Sequence, residues 1–234
     1  LSLTQIRQRI KSASNEKNAK IMSWFFKTSK GEYGEGDVFA GIKVPEQRQI
    51  AKAFFNLGYP AIKRLLSSKI HEERLIALLI LVHNFEKRGD AEQEKIFNFY
   101  IKNRKGVNNW DLVDLSAPKI VGSYLINRDK KILYKFASSE NLWERRISII
   151  STYTFIKSNS YYHTLKISDI LLNDKHDLIH KAVGWMLREI GKKDLAVEQN
   201  FLRSRYKRMP RTMLRYAIEK FPASKRKKYL EGKI

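Results

Sequence analysis

The stretch Asn109-Trp110-Asp111-Leu112-Val113-Asp114 sets a large aromatic ring four residues ahead of a carboxylate. In a helix that spacing brings Trp110 and Asp114 side by side on one face. The chain around them carries a net charge of +22. A carboxylate beside an aromatic surface, in so cationic a protein, suits chemistry on an anionic substrate that develops positive charge as it reacts. Plainer readings compete at each position. Asp111 suits a helix start, where a carboxylate meets the positive end of the helix dipole. Trp110, Trp143 and Trp185 read first as core residues, because large aromatics dominate burial energy. Trp185 departs from that pattern in Gly184-Trp185-Met186-Leu187-Arg188-Glu189, where a small neighbour leaves room and a cation follows at i+3.

Other chemistries find no support. His71, His83, His163, His176 and His180 show no paired spacing of the HExxH kind, and there is no cysteine, so neither a metal nor a disulfide framework is expected. No P-loop and no acyl-transfer nucleophile motif is present, and no cofactor is expected. The segment 27–37 contains Gly31, Gly34 and Gly36. It lies between helices and follows no strand, which argues against a dinucleotide fingerprint. It reads as a flexible loop or, functionally, as a backbone-lined approach to phosphate.

The elements that must position these residues are helices. A chain of 234 residues, 43% hydrophobic and 12% aromatic, is ample for a buried core and is read as a single domain over 1–234. Helical periodicity runs over 3–28, with Ser14 as a cap between two segments. It resumes over 45–57, 60–67, 71–88, 91–104, 110–125, 129–138, 142–157, 161–172, 178–191, 194–204, 210–221 and 223–231. Gly58-Tyr59-Pro60, Gly89-Asp90 and Met209-Pro210 are among the breaks. The expected fold class is all-α. Forty-six Lys and Arg against 24 Asp and Glu call for a polyanionic partner, nucleic acid first and an acidic membrane surface second. No apolar run approaches a membrane span and no signal-peptide layout is seen, so a cytoplasmic protein with no membrane partner is expected. Residues 201–234 hold twelve Lys and Arg against Glu219 and Glu231, a solvated helical face or a cationic flank along a phosphate backbone.

The helices also recur. Arg74, Asp111, Arg146, Lys181 and Met213 occupy similar places in successive segments, 37, 35, 35 and 32 residues apart. Two helices per period of that size mark an α-solenoid. In such a stack, Trp110, Asp114, Arg146, Trp185 and Arg188 would share one concave surface.

Five ordered strings carry a family resemblance: Gly34-Glu-Gly-Asp-Val-Phe-Ala-Gly-Ile-Lys-Val-Pro45, Trp110-Asp-Leu-Val-Asp114, Glu140-Asn-Leu-Trp-Glu-Arg-Arg146, His180-Lys-Ala-Val-Gly-Trp-Met-Leu-Arg-Glu189 and Met209-Pro-Arg-Thr-Met-Leu-Arg-Tyr-Ala217. Through nearly the whole chain the sequence resembles the bacterial AlkD-type DNA alkylation-repair proteins. The resemblance implies a right-handed α-solenoid of HEAT-like antiparallel helix pairs that holds duplex DNA in a concave basic cleft. It also implies a glycosylase that excises N3- and N7-alkylated purines, acts as a monomer and works at the nucleoid. Carried over by position, Asp114 matches the catalytic aspartate, Trp110 and Trp185 the cleft tryptophans, and Arg146 the cleft arginine. Arg188, Lys43 and Arg48 fall at basic or polar DNA contacts. Phe25 stands where an aromatic, often tyrosine, is found, so a hydroxyl contact would be absent.

The implied chemistry fits these residue types. A purine alkylated at N3 or N7 is already a cationic leaving group. As its glycosidic bond stretches, positive charge develops on the sugar, where a carboxylate stabilises it and can orient water. Indole faces add cation–π attraction, and arginines hold flanking phosphates. No lysine is singled out for a Schiff base, so a monofunctional enzyme that leaves an abasic site is expected. A branched-DNA-binding paralogue that excises nothing, and a solenoid scaffold for an acidic protein, are the competing readings.

Overall fold

A computed structural model describes residues 1–234, and the chain is all-α apart from one isolated parallel bridge between Val38 and Ile70. No helix is long and apolar enough to cross a membrane. The chain forms two compact units, Leu1–Ile120 and Val121–Ile234.

The first unit contains α1 (Leu3–Ala13), α2 (Glu16–Phe25), α3 (Val44–Ala53), α4 (Tyr59–Leu66), α5 (His71–Lys87), α6 (Asp90–Lys102) and α7 (Trp110–Ala117). Helix α5 is its axis, packed against by α3, α4, α6 and α7. It is buried around its whole circumference, which leaves no polar face to point at water. Pro45 and Pro60 sit in the first turns of α3 and α4, where a missing N–H costs nothing. The break between α1 and α2 lies where the sequence puts it, with a different cap: Asn15 accepts from the Asn18 amide to start α2, while Ser14 bonds back to the Ile10 carbonyl. Helix α2 buries no residue at all. Ile21, Trp24 and Phe25 repeat at core-facing intervals in the sequence, yet all are exposed, Trp24 by 82%.

The second unit contains α8 (Ser123–Leu125), α9 (Lys131–Ala137), α10 (Leu142–Ser151), α11 (Tyr153–Lys157), α12 (Tyr162–Ile170), α13 (Asp177–Lys193), α14 (Leu195–Arg203), α15 (Arg211–Ala217) and α16 (Ala223–Leu230). Helix α13 packs against α10, α11, α12, α14 and α15 and plays the central part here. Two long expected helices are interrupted. The 110–125 segment passes through a wider turn at Pro118–Gly122, because Pro118 has no N–H for the regular ladder. The 142–157 segment breaks at Thr152, whose hydroxyl bonds back to the Ile149 carbonyl.

Candidate functional site

The first turn of α5, His71-Glu72-Glu73-Arg74, buries four ionisable side chains in a row. Each is matched. The Glu72 carboxylate accepts from the backbone amides of Ala40, Gly41 and Ile42 at 2.8, 2.8 and 3.2 Å. Glu73 receives Arg7 in a two-pronged bond, Nε and Nη2 each 3.0 Å from a carboxylate oxygen. Arg74 Nη2 donates to Asp37 Oδ1 at 2.7 Å. His71 lies between two carboxylates, with Nδ1 3.1 Å from Asp37 Oδ2 and Nε2 2.8 Å from Asp111 Oδ2. Burial works against an imidazolium, but the bonds to Asp111 and Asp37 outweigh it and hold the His71 pKa above its ordinary value. For Asp37, burial pushes the pKa up, and the bond to His71 with the charge of Arg74 pulls it lower still.

This cluster fixes the start of α7. Asn109 caps that helix by accepting from the Trp110 amide at 2.8 Å, and its Nδ2 donates to Asp37 Oδ2 at 3.2 Å. Asp111 is held by His71, one helical position beyond Trp110. Aromatic rings complete the support. The His71 ring stacks on Phe39, with centroids 4.5 Å apart, and lies 5.0 Å from Phe26. Phe26 stacks on Trp110 at 5.1 Å with planes only 13° apart, and Phe25 meets Trp110 edge-on at 6.0 Å. Trp110 and Asp114 are half-buried, whereas Asp111 is buried. Below Asp114 lies Tyr100, fully buried and bonded to Ser116 Oγ at 3.1 Å. Burial raises the Tyr100 pKa, and the nearby Asp114 charge raises it further. Lys43 and Arg48, at the start of and within α3, are both exposed.

In the second unit, Trp185 is half-buried on α13, 5.9 Å from Tyr153. Its Nε1 donates to Glu189 Oε1 at 3.1 Å, and Lys192 reaches the same oxygen at 2.7 Å. Arg188 is bound by Glu219 and has its Nε 3.6 Å from Glu189. Gly184 does not leave the open room beside Trp185 that its small size suggests in the sequence. A Cβ there would lie 2.5 Å from both the Met213 carbonyl and the Tyr216 Cβ, so this glycine lets α13 and α15 approach closely. Arg146 is only 4% exposed, and its Nη1 donates to the Leu178 carbonyl, which ties α10 to α13. Its guanidinium is thus a buried strut at this point and not an outstretched arm.

Sequence reasoning brought Trp110 and Asp114 to one helix but missed their support. His71 appeared only as a histidine without metal spacing, because its partners lie 34 and 40 residues away. The only available signal was the run of four ionisable residues leading straight into Leu75-Ile76-Ala77-Leu78.

No similar sequence is found among curated proteins. Among solved structures, the chain is similar to one described as a predicted DNA alkylation repair enzyme from Enterococcus faecalis, with a TM-score of 0.69 and 18% identity. The match covers 90% of this chain and 97% of that one, and at such identity it speaks for the fold. The family model for DNA alkylation repair enzymes matches residues 6–221. With the fold and nearly the whole sequence in agreement, the chain belongs to the DNA alkylation repair enzyme family.

Proposed function

We propose that this protein is a monofunctional DNA glycosylase that hydrolyses the glycosidic bond of cationic N3- and N7-alkylated purines in duplex DNA. One observation carries the choice of catalytic group. Of the two carboxylates on α7, Asp111 is buried with its Oδ2 bonded to His71, while Asp114 is half-buried on the Trp110 side of the helix. In this reading Asp114 stabilises the positive charge that develops on the deoxyribose and orients the attacking water. The Trp110 face, held by Phe26, attracts the same charge by roughly 0.5–2 kcal/mol, and Trp185 is proposed as a second aromatic contact to DNA on the family resemblance alone. No acid is needed for the leaving group, because the alkylated base is already cationic.

Duplex binding is proposed for exposed Lys43 and Arg48, for Phe25 by apolar contact, and for Arg188 once Glu219 yields to a phosphate. For buried Arg146 the proposal is limited to its electrostatic field, since its guanidinium is used inside the unit. A single chain supplies every group named.

The test is release of free base from methylated duplex DNA. Wild-type protein should liberate 3-methyladenine or 7-methylguanine and leave abasic sites. Asp114→Asn should bind the duplex as before and lose about a hundredfold or more in excision rate. Near wild-type excision by that variant would remove Asp114 from the mechanism. Binding by the wild type without any release would make the protein a DNA-structure binder.

A further inference from the structure

The glycine-rich connection has no part in base excision as proposed. Its end, Glu35-Gly36-Asp37, walls a cavity of about 470 Å3 inside the first unit. That volume falls within the range of small-molecule sites. Lys69, Lys102 and Lys105 also line it; all three are exposed and none is engaged in an ion pair. The carboxylates in its wall are turned to the protein's own donors. Glu35 accepts from the Gly31 amide at 2.8 Å, and both Asp37 oxygens are taken by Arg74, His71 and Asn109. The cavity is therefore cationic toward a guest.

Two buried groups in its lining lack partners. Arg74 is 3% exposed, and its Nη atoms are used on Asp37 and on the Ser68 and Lys69 carbonyls, but its Nε–H finds nothing. Asn108 Oδ1 is likewise buried and unpaired. A buried donor left unsatisfied costs its desolvation with nothing gained in return, so such a group calls for an external partner. Half a turn of the Asn108 amide would present its NH2 in place of the oxygen, a rotation that breaks no bond within the protein. A guanidinium N–H, a carboxamide and three ammonium groups form a donor set for a small, oxygen-rich anion.

We propose that this cavity binds a phosphate group, supplied either by a nucleic-acid backbone or by a free phosphorylated small molecule. The site adjoins the Asp37–His71–Asp111 cluster, so its guest would sit one residue from the cap of α7. Neither source requires that a base be excised.

The experiment follows the Arg74 Nε–H and Asn108 side-chain amide signals by NMR on the full-length labelled chain. Three probes are titrated separately: undamaged duplex DNA, inorganic phosphate and a nucleoside 5′-monophosphate. A second protein carries Lys69→Ala, Lys102→Ala and Lys105→Ala together, three surface changes that leave the core untouched. If duplex moves both signals, and the triple variant binds it about tenfold more weakly with a salt slope reduced by about one, the source is a backbone phosphate. If only the free phosphates move the signals, and the variant loses that response, the source is a small molecule. The proposal is overturned if neither signal responds to any probe, or if the triple variant binds every probe as tightly as wild type. Because the readout is binding to undamaged ligands, a protein that excises no base could still pass, and an active glycosylase could still fail.

Discussion

Trp110 and Trp185 stand on similar ground in the two units. Each lies on a helix that packs against a longer-range neighbour, and each is followed at i+4 by an acid, Asp114 in one case and Glu189 in the other. What differs is how the surrounding donors are shared out. In the second unit Glu189 receives Trp185 Nε1 and Lys192 and lies beside Arg188, so cations and the indole itself engage it. In the first unit the buried His71, its pKa held above the ordinary value, is directed at Asp111, one turn nearer the helix start. The same tryptophan-to-acid spacing thus gives a proposed reaction centre in one place and an ion-paired surface in the other. Spacing nominates a carboxylate, and burial separates neighbouring candidates: Asp111 is buried against His71, whereas Asp114 is half-buried.

The sharpest way to break this comparison is to remove His71. His71→Leu would leave Asp37 and Asp111 buried without their shared partner, at a cost of about 3–5 kcal/mol in stability by chemical denaturation. The pH dependence has a definite sign. With its folded pKa raised, His71 contributes stability fully below its unfolded value near 6.5, and that contribution is lost as pH rises through the folded pKa. Asp37, with its pKa lowered, contributes above 3.8 and loses this as pH falls through its folded value. Wild-type protein should therefore lose stability on the alkaline side, and the leucine variant should lack the part of that limb that His71 supplies. An unchanged alkaline limb in the variant would assign it to other groups.

The second contrast pairs two conservative changes. Asp114→Asn should lower excision by about a hundredfold or more. Glu189→Gln, at the matching place in the second unit, should stay within about fivefold, the scale of a partly exposed ion pair. Single-turnover rates on one methylated duplex compare them directly, and equal losses would erase the distinction between the two acids. Third, Gly184→Ala forces a methyl against the Met213 carbonyl and should destabilise by about 1–3 kcal/mol, measured as a fall in Tm. A pH-dependent effect is expected at Glu198, where burial pushes the carboxyl pKa up to about 8 despite the charge of Arg188. Native protein keeps that proton where the unfolded chain has lost it, so stability falls as pH climbs from about 4.5 to about 8. Glu198→Gln should relieve this and gain on the order of several kcal/mol at pH 8, with no gain at pH 4.

Helices were legible wherever the chain punctuates itself. Pro45, Pro60 and Gly89 mark starts of α3, α4 and α6 that the structure reproduces to within about a residue. Internal interruptions were harder. Pro118 sits within an otherwise helical run, and Thr152 breaks its helix through a hydroxyl bond that composition does not announce. The exposure of Trp24 could not be read either. Periodicity says that residues share a face, and only the tertiary fold says whether anything covers it. The candidate site divides in the same way. Trp110 and Asp114 are local in sequence and were found, whereas the His71 cluster is assembled across three distant segments and was not.

The connection over residues 26–43 contains no helix and only a single strand-like bridge. The start of α5 and the turn before it hold much of it: the Lys69 carbonyl and the His71 amide at Val38, and the Glu72 carboxylate at residues 40–42. Gly41, at φ +82°, lies so close to the Asn15 carbonyl that no side chain fits, which presses the same stretch against α2. A loop moored in this way has no private unfolding route. Its amides at Ala40, Gly41 and Ile42 should exchange with solvent only when the first turn of α5 opens, at rates that track the cooperative opening of the first unit and not the fraying of a surface loop.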